Sequence, residues 1–231
     1  MMMKKILSCS LLAMSMAVCS VAAKTADQAP TIRTMSGATQ TQSLDAKTTA
    51  LIVIDFQNEY FSGKMPIPDG KKALDNTRLL VNFAHQNQMP VYFVRHLGPA
   101  DGPLFAEGSK FAEFHQDLQP GKADKVITKA TPSSFVGTDL DKQLKQHGIK
   151  TLIVTGLMTH MCVSSTARDA VPLGYEVIIP EDATATRDLA TWNNAVVDHK
   201  TLQKVSLAGV ADVFAEIKTT RQVLELPITN R

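Results

Sequence analysis

From Thr48 onward, short uninterrupted apolar runs alternate with longer segments whose apolar residues recur at helical spacing. The runs lie at 50–54 (ALIVI), 91–94 (VYFV), 125–128 (KVIT), 151–155 (TLIVT) and 176–179 (EVII), with a weaker sixth at 212–217. Runs this short suit strands covered on both faces, as in a parallel sheet. Between them, Leu74, Leu79, Leu80, Phe83 and Ala84 predict a helix ending before Pro90. Leu140 and Leu144, followed by Gly148, predict a second helix. Residues 163–173, closed by Gly174, predict a third, and Trp192 to about Leu207 a fourth. The alternation predicts an open α/β sheet with helices on both faces. Residues 97–123 form a long Gly- and Pro-punctuated connection, a candidate lid or pocket wall.

Length and composition narrow this. A chain of 231 residues, 44% hydrophobic, fits one large domain with a full core. A net charge of +2 gives no basic face for nucleic acid. The body of the chain has no run of apolar residues long enough to span a membrane. Residues 1–23 differ: Lys4 and Lys5 precede an apolar run that ends in Val21-Ala22-Ala23, the pattern of a secretory signal peptide. A buried N-terminal helix and a lipid-modified Cys19 are the alternatives. Residues 24–47, rich in Thr, Ser, Gln and Ala, read as a flexible or loosely docked N-terminal arm. One domain then fills 48–231.

Export to the periplasm is the expected localisation. Removing the signal leaves 22 basic and 22 acidic residues and a single cysteine, Cys162. A lone thiol has no internal disulfide partner, so it is either inert and buried or kept for its chemistry.

In such sheets the site lies at the carboxyl ends of the strands. Asp55 follows the first run, Arg95 and His96 the second, Lys129 the third, residues 156–162 the fourth, and Glu181 and Asp182 the fifth. No Gly-rich dinucleotide turn and no phosphate loop accompanies them, so no cofactor is expected. Cys162 stands where a strand turns into a helix, where the helix dipole lowers a thiol pKa. Its alternative role is that of a small buried hydrophobe. Asp55 suits proton transfer, or simply a helix cap. Lys129 suits charge stabilisation, or a solvated surface.

Taken together, these residues resemble the isochorismatase-like cysteine hydrolases, a superfamily that includes nicotinamidases, N-carbamoylsarcosine amidases and ureidoacrylate hydrolases. The matching stretches are 50–59 (ALIVIDFQNE), 127–135 (ITKATPSSF), 154–170 (VTGLMTHMCVSSTARDA) and 175–183 (YEVIIPEDA). The resemblance implies an α/β fold of three αβα layers, Rossmann-like, around a six-stranded, mainly parallel sheet, with an Asp55–Lys129–Cys162 triad and a cis peptide between Leu157 and Met158. It also implies an oxyanion hole made by the backbone N–H groups of Met158 and Cys162. The implied activity is hydrolysis of a small amide or carbamoyl C–N bond through a thioester, by a homo-oligomer acting on a small-molecule substrate. Nicotinamidases carry Asp-x-His beside a metal, whereas this chain has Arg95-His96-Leu97 there, so no metal is expected.

Phe56, Gln57, Arg95, Phe135 and Trp192 are candidate substrate contacts, and Tyr60, Phe61, Phe105 and Phe111 further pocket walls. Each aromatic has a core role as its alternative, and Arg95 a surface one. Two other functions stay open, a redox-active thiol protein and a catalytically silent binding protein.

Overall fold

The computed structural model describes Thr25 and residues 29–230. The signal-peptide reading, with Cys9 and Cys19, falls outside them. In chain order the elements begin with α1 (Ile32–Met35), β1 (Leu44–Asp45), β2 (Thr49–Ile54), α2 (Gly70–Gln86), β3 (Val91–His96) and β4 (Lys125–Lys129). They continue with α3 (Leu140–Gln146), β5 (Thr151–Leu157), α4 (Ser164–Ala170), β6 (Glu176–Pro180) and β7 (Thr184–Ala185). β8 (Leu189–Ala190), β9 (Val196–Val197), α5 (His199–Ala211), β10 (Glu216–Lys218), α6 (Thr220–Leu224) and β11 (Ile228–Thr229) complete the chain.

The five anticipated strands and a sixth that begins at Glu216, later than the 212–217 run suggested, form the sheet, in the order β10-β6-β5-β2-β3-β4, and every neighbouring pair is parallel. β7 adds a short seventh strand beside the end of β5. Alternation within the strands divides the core between two faces. Leu51, Val53, Val91, Phe93, Ile153 and Ile178 meet Leu74, Leu80 and Ala84 of α2 and Val223 of α6. Ala50, Ile52, Tyr92, Val94, Leu152, Val154 and Val177 meet Leu140, Leu144, Ala167, Leu207 and Val210 of α3, α4 and α5. Each fully buried aliphatic side chain contributes roughly 1.5–3 kcal/mol, so the apolar stripes, not local propensity, fix where the helices lie.

Two expectations change. The segment read as a flexible arm is tied down from Thr31 onward. Ile32 N–H donates to Asp212 Oδ1 at 2.8 Å and Thr41 Oγ1 to Glu216 Oε2 at 2.6 Å. β1 pairs in parallel with β11. Backbone groups far away in sequence supply partners that a polar composition does not reveal.

The fourth helix starts at His199, not near Trp192. Asp198 caps it, accepting from the N–H groups of Lys200 and Thr201 at 3.1 Å each. Residues 189–197 form an antiparallel hairpin instead. In its turn Thr191 Oγ1 accepts from Ala195 N–H, and Asn194 has φ +61°.

Candidate functional site

The strand register gathers the proposed catalytic side chains. Ile54 lies opposite both Val94 and Gly156, so β2, β3 and β5 reach the site together. Asp55 follows immediately, with φ +54°, in a region that Asp tolerates better than most residues. Its N–H still donates to Val94 O at 2.9 Å. Lys129 ends β4, opposite His96. Between β5 and α4 the chain makes one π-helical turn, Thr159–Val163, which carries Cys162. Such turns are rare and concentrate at functional sites. The peptide bond from Leu157 to Met158 just before it is cis.

Gly156 is required by space. It has φ +145°, and a Cβ there would stand 2.5 Å from Ile54 O and 2.6 Å from Ile54 Cβ. β5 can therefore bring the Cys162 turn close to Asp55 only if residue 156 has no side chain.

Lys129 is the hub. Its Nζ is 2.7 Å from Asp55 Oδ2, 3.4 Å from Cys162 Sγ, 3.3 Å from His96 Nδ1 and 3.2 Å from Thr131 O. Asp55, Lys129 and Cys162 are 0%, 2% and 5% exposed. Neither Asp55 oxygen has a well-aligned hydrogen bond, so the ion pair with Lys129 is the principal compensation for burying that charge.

The electrostatics follow from this packing. Burial raises the Asp55 pKa, and Lys129 only partly opposes it. Burial pulls the Lys129 pKa down, but the negative charge of Asp55 leads the causes that outweigh it and keep the ammonium charged. Burial first, and the Asp55 charge second, push the Cys162 thiol up to about 12. This overturns the expected low thiol pKa: desolvation and a buried carboxylate outweigh a dipole effect limited to the first helical turn. At rest the cysteine is a thiol and needs a base, and Asp55 is a carboxylate with enhanced affinity for a proton. His96 is held neutral by burial and by Lys129. With an ammonium 3.3 Å away, its Nδ1 acts as an acceptor.

The expected substrate contacts divide. Phe56 is fully buried in the core on the α2 face. Gln57 is buried too and serves as a brace. Its Nε2 donates to His96 O and Ala112 O at 2.8 and 2.7 Å, and its Oε1 accepts from His96 N–H at 2.8 Å. Arg95 donates from Nε to Thr128 Oγ1 at 3.0 Å along the sheet edge. Phe135 stacks on Tyr175 at 5.9 Å against the opposite core. Trp192 is 95% exposed at the hairpin turn. Ala190 and Val196, which flank the turn, are exposed too, while Leu189 and Val197 at the hairpin's outer ends are half-buried.

Two of the anticipated pocket walls, Phe105 and Tyr60, stand nearer the chemistry, together with Arg187, which the sequence reading did not single out. Phe105, carried in by the 97–123 connection, packs 5.1 Å from His96 and 5.2 Å from Tyr60. Burial, then the charges of Cys162 and Asp55, push the Tyr60 phenol well up. Arg187, two residues past β7, has a buried Nε with no partner. The Tyr60 and His160 groups both feel its charge. A Thr-Arg-Asp after the fifth strand carried no sequence signal, because β7 is only two residues long. Among the described residues, no group of three or more His, Cys, Asp or Glu is placed to hold a metal.

Comparison with known proteins agrees with the architecture. The isochorismatase domain model matches residues 49–222. A secreted isochorismatase effector of Verticillium dahliae is 37% identical over 173 residues, 75% of this chain and 88% of that one. The crystal structure of an isochorismatase from Pseudomonas putida superposes with a TM-score of 0.78 at 33% identity, covering 84% of this chain and 98% of the other. N-carbamoylsarcosine amidase from Thermoplasma acidophilum gives a TM-score of 0.65 at 28% identity, covering 75% and 96%. Fold and likeness together define an isochorismatase-like cysteine hydrolase. The chain belongs to the isochorismatase family, with the domain spanning most of its length.

Proposed function

We propose that the protein hydrolyses a small amide or carbamoyl C–N bond, with Cys162 as nucleophile. The observation that carries this reading is the single buried ammonium of Lys129, in contact with both Asp55 and Cys162. Asp55 takes the thiol proton as Sγ attacks the substrate carbonyl, and Lys129 offsets the negative charge that moves between them. The N–H groups of Met158 and Cys162 receive the oxyanion. Asp55 returns the proton to the departing amine or ammonia, which leaves a thioester. Water, deprotonated by Asp55, then releases the acid and restores the thiol.

A thiol pushed up to about 12 and 5% exposed favours this base-assisted route over a peroxide-sensing thiol, which needs standing thiolate. Arg187 favours a substrate that carries a carboxylate or another electron-rich group near the scissile bond. The pattern of residues 1–23 and the secreted Verticillium relative support export, and the fold family supports a homo-oligomer.

The test is ammonia and acid release from a panel of amides, ureas and carbamoyl amino acids, with wild type and Cys162→Ala in parallel. Turnover lost in the variant supports the assignment. Turnover kept in Cys162→Ala removes the nucleophile from it.

A further inference from the structure

A cavity of about 720 Å³ opens at the amino ends of β2, β3, β4 and β5, away from the Cys162 end of the sheet. From Ile149 to Leu157 the chain runs about 25 Å along β5, so this cavity and the triad lie on opposite ends of the same strands. Its apolar lining includes Met89, Val91 and Ile149, which precede or begin β3 and β5. Its polar side chains are Lys47, Lys122, His85, His147, Gln88 and Asp124.

The single carboxylate of the lining is already engaged. Asp124 Oδ1 is 2.7 Å from His85 Nε2, and its Oδ2 accepts from Gly121 N–H at 2.7 Å. The Asp124 side chain is 2% exposed, so its charge faces those partners and not the cavity mouth. His147 Nδ1 is 2.8 Å from Gln143 O, which makes that nitrogen a donor and leaves Nε2 as its other hydrogen-bonding atom. Lys47 and Lys122 form no ion pair among the described residues, and both are exposed. An apolar floor under a rim that carries the two ammonium groups of Lys47 and Lys122 is complementary to an anion with a flat apolar body.

We propose that this cavity is a second binding site, separate from the triad, for a small aromatic carboxylate. The ring lies against Met89, Val91 and Ile149, and the carboxylate faces Lys47 and Lys122. Its position is independent of the reaction assigned to Cys162, so it stands or falls separately.

Benzoate is the probe, with benzyl alcohol as its neutral match, measured by isothermal titration on the full chain. The expected result is benzoate binding at about 1 mM or tighter, a range accessible to a ligand of this size. Benzyl alcohol binds roughly fivefold more weakly. The double variant Lys47→Glu/Lys122→Glu weakens benzoate by a similar factor or more, since two exposed charge contacts are reversed. Ala123→Trp, at an exposed position on the mouth, abolishes binding by filling the space. Both variants change exposed residues, so their folding is checked by an unchanged melting temperature. Absence of heat up to 10-fold above about 1 mM, or binding unaltered by the charge reversal, overturns the proposal. A change in sedimentation of the ligand-free double variant assigns the face to a second copy of the chain instead, and also overturns it.

Discussion

Lys129→Met is the most informative single perturbation, because it removes a charge while nearly keeping a side chain's volume. Lys129 is 2% exposed, and its ammonium is 2.7 Å from a fully buried carboxylate. Without it Asp55 stays buried with no counter-charge, a change that typically costs about 3–5 kcal/mol. The penalty falls on the ionised form only, so the variant's Asp55 pKa climbs further above its already raised value. A carboxyl whose folded pKa is raised loses stability as pH rises from its unfolded value, near about 4, to the folded one, and stays level above it. Each unit of added shift corresponds to about 1.4 kcal/mol. The Lys129 contribution of the wild type is constant over this window, because its pKa is raised above 10.5 and is lost only in more alkaline solution. Urea unfolding at pH 8 and pH 5 therefore gives a deficit of about 3–5 kcal/mol at pH 8 that shrinks at pH 5 as Asp55 takes up a proton. A deficit below about 1 kcal/mol at pH 8, or one equal at both pH values, refutes the reasoning that Lys129 balances a buried Asp55 charge.

Asp55→Asn removes the charge that helps hold the Cys162 thiol up at about 12. Ultraviolet titration of the thiolate should show its pKa falling by about one unit or more, while amide turnover falls roughly a hundredfold; an unchanged titration removes Asp55 from contact with the thiol. Gly156→Ala places a Cβ 2.5 Å from Ile54 O at φ +145°, and should lower stability by at least about 2 kcal/mol in denaturant unfolding together with activity. Arg187→Gln should raise KM for anionic amides several-fold more than for neutral ones, with kcat little changed; equal effects on both remove the substrate-contact role. Trp192→Ala, 95% exposed, should change unfolding free energy by less than about 0.5 kcal/mol.

The sheet was legible because its strands are covered on both faces and read as unbroken apolar runs, and because the active groups of such sheets gather at known ends. Asp55, Lys129 and Cys162 stand at three of those ends, and the structure brings them within contact of one another. What the sequence hid depends on neighbours distant in the chain. The direction of the Cys162 pKa is set by burial and by a residue more than a hundred positions away. Gln57 looked like a pocket residue, but its amide partners come from residues 96 and 112. Trp192 fitted a helical period, yet the cap that starts the helix is Asp198, and the period gives no warning of a hairpin before it. Phe105, by contrast, was readable as a pocket wall on the 97–123 connection, though that irregular stretch carries no periodicity to show that it packs on His96.

The segment ahead of β2 depends on the last quarter of the chain. Ile32, Arg33, Thr41, Leu44 and Ala46 are tied to Asp212, Glu216, Pro227 and Thr229, and Asn230 reaches Asp45 from 185 residues away. Contacts of such separation close last, after the entropy of the intervening loop has been overcome by the rest of the domain. Residues 31–47 therefore cannot settle while the C-terminal strands are still being synthesised. The same adjacency makes the domain topologically close to a ring. Removing residues 227–230 would therefore strip Leu44, Asp45 and Ala46 of their partners and free the stretch that leads into β2, although none of those four residues belongs to the central sheet.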